Sequence, residues 1–214
     1  MKTYAVVFLS ILFAMVTVHV VYAEPLYPDG DATPQQWAIF PNSGAHYEKV
    51  DDDYLLNQWD NDYIYTITDT GVYGNEFFSL QDVPSSFAGL YNVVKVTVNV
   101  VAEGVEGTSF GVDILIRTYG TTHGSGNIPI TETWDRYSEA YMKNPHTASQ
   151  WTWDEVNDLE IGVTSLYMTK VSAIYVFVDV APKPVIPEVP LGPVAALASM
   201  FAAVALLSIR RRAR

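Results

Sequence analysis

The chain has no cysteine, and this absence excludes several chemistries. Disulfide staples, Cys-ligated zinc, iron–sulfur clusters and thiol catalysis all need the missing residue. Positive charge is scarce as well, with 12 Lys+Arg against 24 Asp+Glu. Between residues 24 and 181 only six basic residues stand against 23 acidic ones, a net charge of −17. A surface that acidic repels phosphate, which excludes nucleic-acid binding through a basic footprint. No Asn-x-Ser/Thr sequon occurs, so no N-glycan cover is expected. No G-x-S-x-G elbow is present either, and beyond the N-terminal segment the histidines are only His46, His123 and His146, in turns and loops without zinc-ligand spacing. No motif selects two of the 23 carboxylates as a glycosidase pair. The expectation is a protein that is not an enzyme and carries no cofactor, with calcium the one ion to weigh.

The two ends carry an address. Met1-Lys2-Thr3 is a short basic start, Ala5–Val18 is an apolar run, and Val21-Tyr22-Ala23 offers small residues at the −3 and −1 positions. Residues 1–23 therefore read as a signal peptide for signal peptidase, and Pro25 and Pro28 stop any helix just beyond it. At the other end Pro182, Pro184, Pro187 and Pro190 give a stiff, extended stalk over residues 182–190. Residues 191–209 follow without a charge, and 19 residues at about 1.5 Å each reach about 28 Å, enough for a transmembrane helix. Arg210, Arg211, Arg212 and Arg214 form a basic tail that belongs on the cytoplasmic side. The expected localisation is export, with an acidic ectodomain over residues 24–181 anchored to the cell-surface membrane by its C-terminus.

The sequence Val185-Ile186-Pro187-Glu188-Val189-Pro190, a small-residue apolar helix and the arginine cluster together resemble the PEF-CTERM sorting signals of archaeal surface proteins. Pro187-Glu188-Val189 stands where that motif has Pro-Glu-Phe. The resemblance covers about 25 residues and implies an archaeal source and an archaeosortase-like enzyme as a partner. A permanent membrane helix and a tail that is cut away both stay open.

The middle of the chain reads as strands. Apolar residues recur at every second position in Val93–Val101, Phe110–Thr118 and Ser172–Val180, the pattern of a sheet with one face on a core. Weaker runs lie at Gln36–Phe40, Tyr63–Thr68, Phe77–Gln81, Thr131–Tyr141 and Leu159–Val163, parted by turn-rich clusters such as Gly120–Asn127. Short strands at this spacing predict an all-β antiparallel sandwich. Thr152-Trp153-Asp154-Glu155 has the form of a capping box and predicts one short helix. Leu26–Asp31, Tyr137–Tyr141, Asn144-Pro145, Trp151–Val163 and Lys170–Val180 together resemble a β-sandwich module of archaeal, bacterial and phage surface proteins. That resemblance implies a jelly-roll-like sandwich and no catalytic apparatus.

Two groups of residues are candidates for binding. Trp59, Trp134, Trp151 and Trp153 could stack on sugar rings, or they could plug the core. Asp29 and Asp31, Asp51 and Asp53, and Asp60 and Asp62 could supply oxygen ligands to calcium, though without the spacing of an EF-hand, or they could cap turns. The functional expectation is a structural or adhesive module of the cell surface, with envelope proteins or surface glycans as partners. The alternatives are a carbohydrate-binding module, which calcium could stabilise, and a subunit of an extracellular filament.

Overall fold

The alternating pattern folds into two antiparallel sheets. The computed structural model describes residues 21–22, 25–52, 62–66, 74–105 and 111–184. Sheet A contains β1 (Val21–Tyr22), β3 (Ala38–Phe40), β4 (Tyr63–Tyr65), β6 (Tyr91–Gly104), β9 (Asp135–Tyr141) and β11 (Thr169–Pro182). Its order is β3-β4-β11-β6-β9, with β1 pairing beside β4 on the same edge of β11. Sheet B contains β2 (Pro28–Gln35), β5 (Gly74–Leu80), β7 (Asp113–Thr118), β8 (Thr121–Gly124) and β10 (Glu160–Ser165), in the order β2-β5-β10-β7-β8. The chain passes repeatedly between the sheets, so neighbours in sequence are often partners across the core.

Period-two alternation fills that core. From sheet A, Val96, Val98, Val100, Ile174, Val176 and Val178 point inward. From sheet B, Phe78, Ile114, Ile116, Ile161 and Val163 meet them. Each is buried, and a side chain of this size contributes about 1.5–3 kcal/mol on leaving water. With no disulfide to constrain the unfolded chain, this apolar layer supplies most of the stability. The long β6–β11 ladder is its spine, and bulges between Val171 and Ala173 and between Asp179 and Val180 shift its register.

Three elements differ from expectation. β2 is built from PDGDATPQ, which has no apolar alternation, because most of the strand is exposed at the edge of sheet B where proline is tolerated. β8 lies inside the stretch expected to be a loop. Its four residues are an exposed edge, paired to β7 by a two-residue turn rather than by burial. A helix, α1 (Ser85–Leu90), starts after Pro84 with no side-chain cap, so no sequence signal marks its start. The second helix, α2 (Trp153–Asn157), has the capping box read from the sequence: Thr152 accepts from the Glu155 amide, and Glu155 accepts from the Thr152 amide.

The chain divides into a compact unit ending at Lys183 and a second from Pro184. Lys183 is tied to the end of α1, its amide donating to the Leu90 carbonyl and its Nζ to the Ala88 carbonyl. Residues 1–20, the sorting motif Pro187-Glu188-Val189, the apolar span 191–209 and Arg210–Arg212 lie outside the described residues. Among the described residues no helix is long and apolar enough to cross a membrane.

One buried polar residue organises the link between β9 and α2. Asn144 is fully buried, and its Oδ1 accepts from the amides of His146 and Thr147. Its Nδ2 donates to Thr118 Oγ1, and its backbone closes the turn with Ser149 and Ala148. Asn144→Ala removes the acceptor of two turn amides and the partner of the buried Thr118 hydroxyl, at about 1–3 kcal/mol. Urea denaturation is expected to register that loss as a lower midpoint with an unchanged slope.

Candidate binding face

The capping box decides the fate of two candidate tryptophans. Thr152 is extended, and the chain then turns sharply into α2, which carries Trp151 and Trp153 inward together. Both are buried in the main core. The Trp151 indole donates to the Tyr141 carbonyl at 3.0 Å and that of Trp153 to the Tyr91 carbonyl at 2.8 Å. Neither offers a ring to a ligand; both plug the end of the sandwich. Trp37 is likewise buried, with its indole on the Gly74 carbonyl. Trp59 lies outside the described residues.

The candidate calcium ligands are spread over separate tasks. Asp31 caps the turn at residues 46–47, accepting from the amides of His46 and Tyr47 at 3.1 and 2.7 Å. Asp29 accepts from Ser79 Oγ, and Asp62 pairs with Lys49 at 2.8 Å. Asp51 is exposed, and its backbone bridges to Ala173. Asp53 and Asp60 lie outside the described residues. Among the described residues no three acidic or histidine side chains gather as a metal site would require.

Trp134 has a different setting. It precedes β9 and packs on the outer face of sheet A, away from the main core. The register explains what it meets there. Ile39, Ile64 and Val171 point into the core, so Phe40, Tyr63, Tyr65 and Lys170 on the same three strands point outward. Phe40 and Tyr63 stack at 5.1 Å with their planes 21° apart, and Tyr65 meets Tyr63 edge-on at 5.9 Å. Trp134 lies 6.2 Å from Tyr63, tilted by 55°. Lys170 Nζ sits 5.2 Å from the Tyr63 ring centre and pairs with Glu103 at 2.5 Å.

Further along the same face Val101, Ala173 and Tyr175 form a small buried cluster of their own, with Tyr27, Trp134 and Phe177 packed against it. Tyr175 meets Tyr27 at 6.0 Å and Phe177 at 5.6 Å. Trp134 thus joins two groups of rings, one on the β3–β4 edge and one on β11. Within the first group Phe40 is 47% exposed, and the tyrosines and Trp134 are half-buried. Phe40, Tyr63, Tyr65 and Lys170 are not among the binding candidates read from the sequence. The signal for the tyrosines was there, since Tyr63 and Tyr65 flank the inward Ile64 at a spacing of two.

Charge is distributed unevenly over the domain. Lys95, Arg136 and Lys170 all fall on the outer face of sheet A, by their register opposite Asp179, Val101 and Glu103. Lys95 pairs with Asp179 at 2.6 Å. Half of the six bases between residues 24 and 181 therefore lie on this face, which sets three bases against Glu103 and Asp179. Elsewhere the excess of acid is correspondingly larger.

No protein-family model matches the chain, and no curated protein matches it. Solved structures similar to it include the following three. The CBM22-1 xylan-binding domain of Xyn10C from Paenibacillus barcinonensis aligns with a TM-score of 0.32 and 10% identity, over 79% of this chain and 97% of that one. The CBM22-1–CBM22-2 tandem domain of the same protein aligns at 0.32 and 11%, over 83% and 48%. A structure described as "CBM4 structure and function" aligns at 0.25 and 14%, over 75% and 95%. Scores this low carry no conclusion about a ligand.

Proposed function

We propose that the chain is a non-catalytic, jelly-roll-type β-sandwich module that binds a neutral polysaccharide at the cell surface through the outer face of sheet A. The observation that carries this reading is the cluster of Phe40, Tyr63 and Trp134 on one sheet face, the first exposed and the other two half-buried. The ring surface left open in this cluster suits the apolar faces of pyranose units, which lose little hydration on stacking. The charge pattern selects a neutral polymer. The domain as a whole repels polyanions, whereas this face holds bases and acids in near balance. Export and anchoring follow from the basic start, the apolar run and the arginine tail, with signal peptidase and an archaeosortase-like enzyme as processing partners.

The structural reading keeps one specific support: Trp151 and Trp153 serve the core, so part of the aromatic content is architecture. The two readings agree if the module adheres by holding glycans.

The test is retention of the full-length chain by soluble neutral polysaccharides in affinity electrophoresis. Trp134→Ala and Tyr63→Ala are each expected to weaken retention at least about tenfold, the value of one good stacking contact. Unchanged melting temperatures would locate the effect at the face. Equal retention of both variants and the parent protein would end the proposal.

A further inference from the structure

A second feature lies apart from that face, where the β7–β8 turn approaches α2. The turn is Tyr119-Gly120, and both residues have positive φ, 52° and 71°. That is the pattern of a type I′ turn, in which the first position favours Asn, Asp or Gly. A tyrosine there is held against its backbone preference, and the residue is 65% exposed. Two contacts fix the ring. His146 stacks on it at 5.2 Å with planes 27° apart, and its hydroxyl donates to Glu155 Oε1 at 3.2 Å. Glu155, then burial, keeps that hydroxyl protonated beyond the ordinary phenol range, with Asp158 and Asp154 adding to the push.

The ring borders a cleft of about 390 Å³ whose other walls are Arg117, Asp154, Asp158 and Glu160. This volume is in the range of small-molecule sites. Most of the polar groups are already engaged. Arg117 pairs with Glu160, donates to the Thr33 carbonyl and lies over the Phe77 ring, while Glu155 serves the capping box. Asp154 and Asp158, one helical turn apart, remain as exposed acceptors near the ring.

We propose that this cleft is a second binding site, which takes one or two units of a neutral sugar stacked on Tyr119, with vicinal hydroxyls donating to Asp154 and Asp158. The exposed ring and the cleft carry this assignment; the carboxylates exclude anionic ligands and supply acceptors. It takes its ligand class from the saccharide reading of the sheet face but shares no residue with it. Two sites on one rigid module can hold two chains at once, which converts weak single contacts into adhesion.

The experiment is saturation-transfer NMR on the full-length chain with a panel of neutral mono- and disaccharides, and with methylguanidinium as a cationic probe. At least one sugar is expected to bind. Tyr119→Asn is expected to weaken it at least about tenfold while leaving the melting temperature equal or higher, because asparagine suits the turn. Tyr119→Phe keeps the stacking surface and should retain most binding, and Asp154→Ala/Asp158→Ala should lose it. Trp134→Ala should leave this binding intact while weakening retention by polymer. Binding of methylguanidinium alone, no binding by any sugar, or undiminished binding in Tyr119→Asn would overturn the proposal. If polymer retention depends on Trp134 and no sugar responds to Tyr119, the cleft fails and the sheet face stands. The reverse pattern removes the face and keeps the cleft.

Discussion

Glu76→Ala is expected to lower stability by about 3–5 kcal/mol and to leave little folded protein at moderate urea. Glu76 has no exposed surface, yet it sits on β5 among apolar neighbours. Its Oε2 accepts from the amides of Gln36 and Trp37 at 2.8 and 3.0 Å. His46 Nδ1 lies 2.6 Å from Oε1. One carboxylate thus holds the segment entering β3 and the turn that follows it. Alanine strands the buried Trp37 amide and takes the partner from the Gln36 amide and the His46 imidazole, at about 1–3 kcal/mol each. Because β3 carries Phe40, the loss should also loosen the aromatic face. Denaturation followed by tyrosine and tryptophan fluorescence measures the first effect, and polymer retention the second.

The same residue fixes the sign of a pH effect. Burial raises the Glu76 pKa above its ordinary value, although the two amides and His46 pull it down. A raised carboxyl binds its proton more tightly in the folded chain than in the unfolded one. Stability from this group is therefore greatest at low pH, falls as pH rises through the window between the two values, and stays lower above it. Glu76→Gln keeps an acceptor for both amides and removes the charge. Its stability relative to the parent protein should climb as pH rises from about 4.5 through that window and then level off. A difference that is flat with pH would show that the two amides and His46 fully offset the burial of charge at this position.

Much of the fold was legible because it rests on period-two burial. Val93–Val101 and Ser172–Val180 became the spine of sheet A, and Thr152–Glu155 capped the one helix the sequence marks. β2 and β8 were hidden because edge strands need backbone pairing but no buried face. The binding face was half legible. Trp134 was a candidate and Tyr63–Thr68 a strand run, but the gathering of Trp134 with Tyr63 and Tyr65 depends on three ladders whose register only the folded chain fixes. The role of Tyr119 was hidden for a different reason. Its meaning lies in a left-handed backbone and in a cleft made with α2, 34 residues further on.

Gly162→Ala should be at least as damaging as the loss of Glu76, and by a purely steric route. Gly162 lies on β10 in the middle of sheet B, opposite Phe77 on one side and Leu115 on the other. A Cβ built there would come within 2.2 Å of the Glu76 carbonyl oxygen and 2.8 Å of the Phe77 ring. The ring cannot lift away, because the Arg117 guanidinium covers it at 4.3 Å and is itself held by Glu160 and the Thr33 carbonyl. The carbonyl belongs to β5, which is paired on both sides, by β2 and β10. Relief therefore requires separating β10 from β5, and a cost of about 3 kcal/mol or more is expected. Gly89→Ala is the contrasting substitution. It lies in α1, meets nothing within 4 Å, and has no positive φ to relieve. Alanine there should add about 0.5–1 kcal/mol through helix propensity alone. Melting curves of the two variants should therefore move in opposite directions. A mild effect at Gly162 would mean that Phe77 and the Arg117 above it can move, and that the side wall Arg117 gives the Tyr119 cleft is soft rather than preformed.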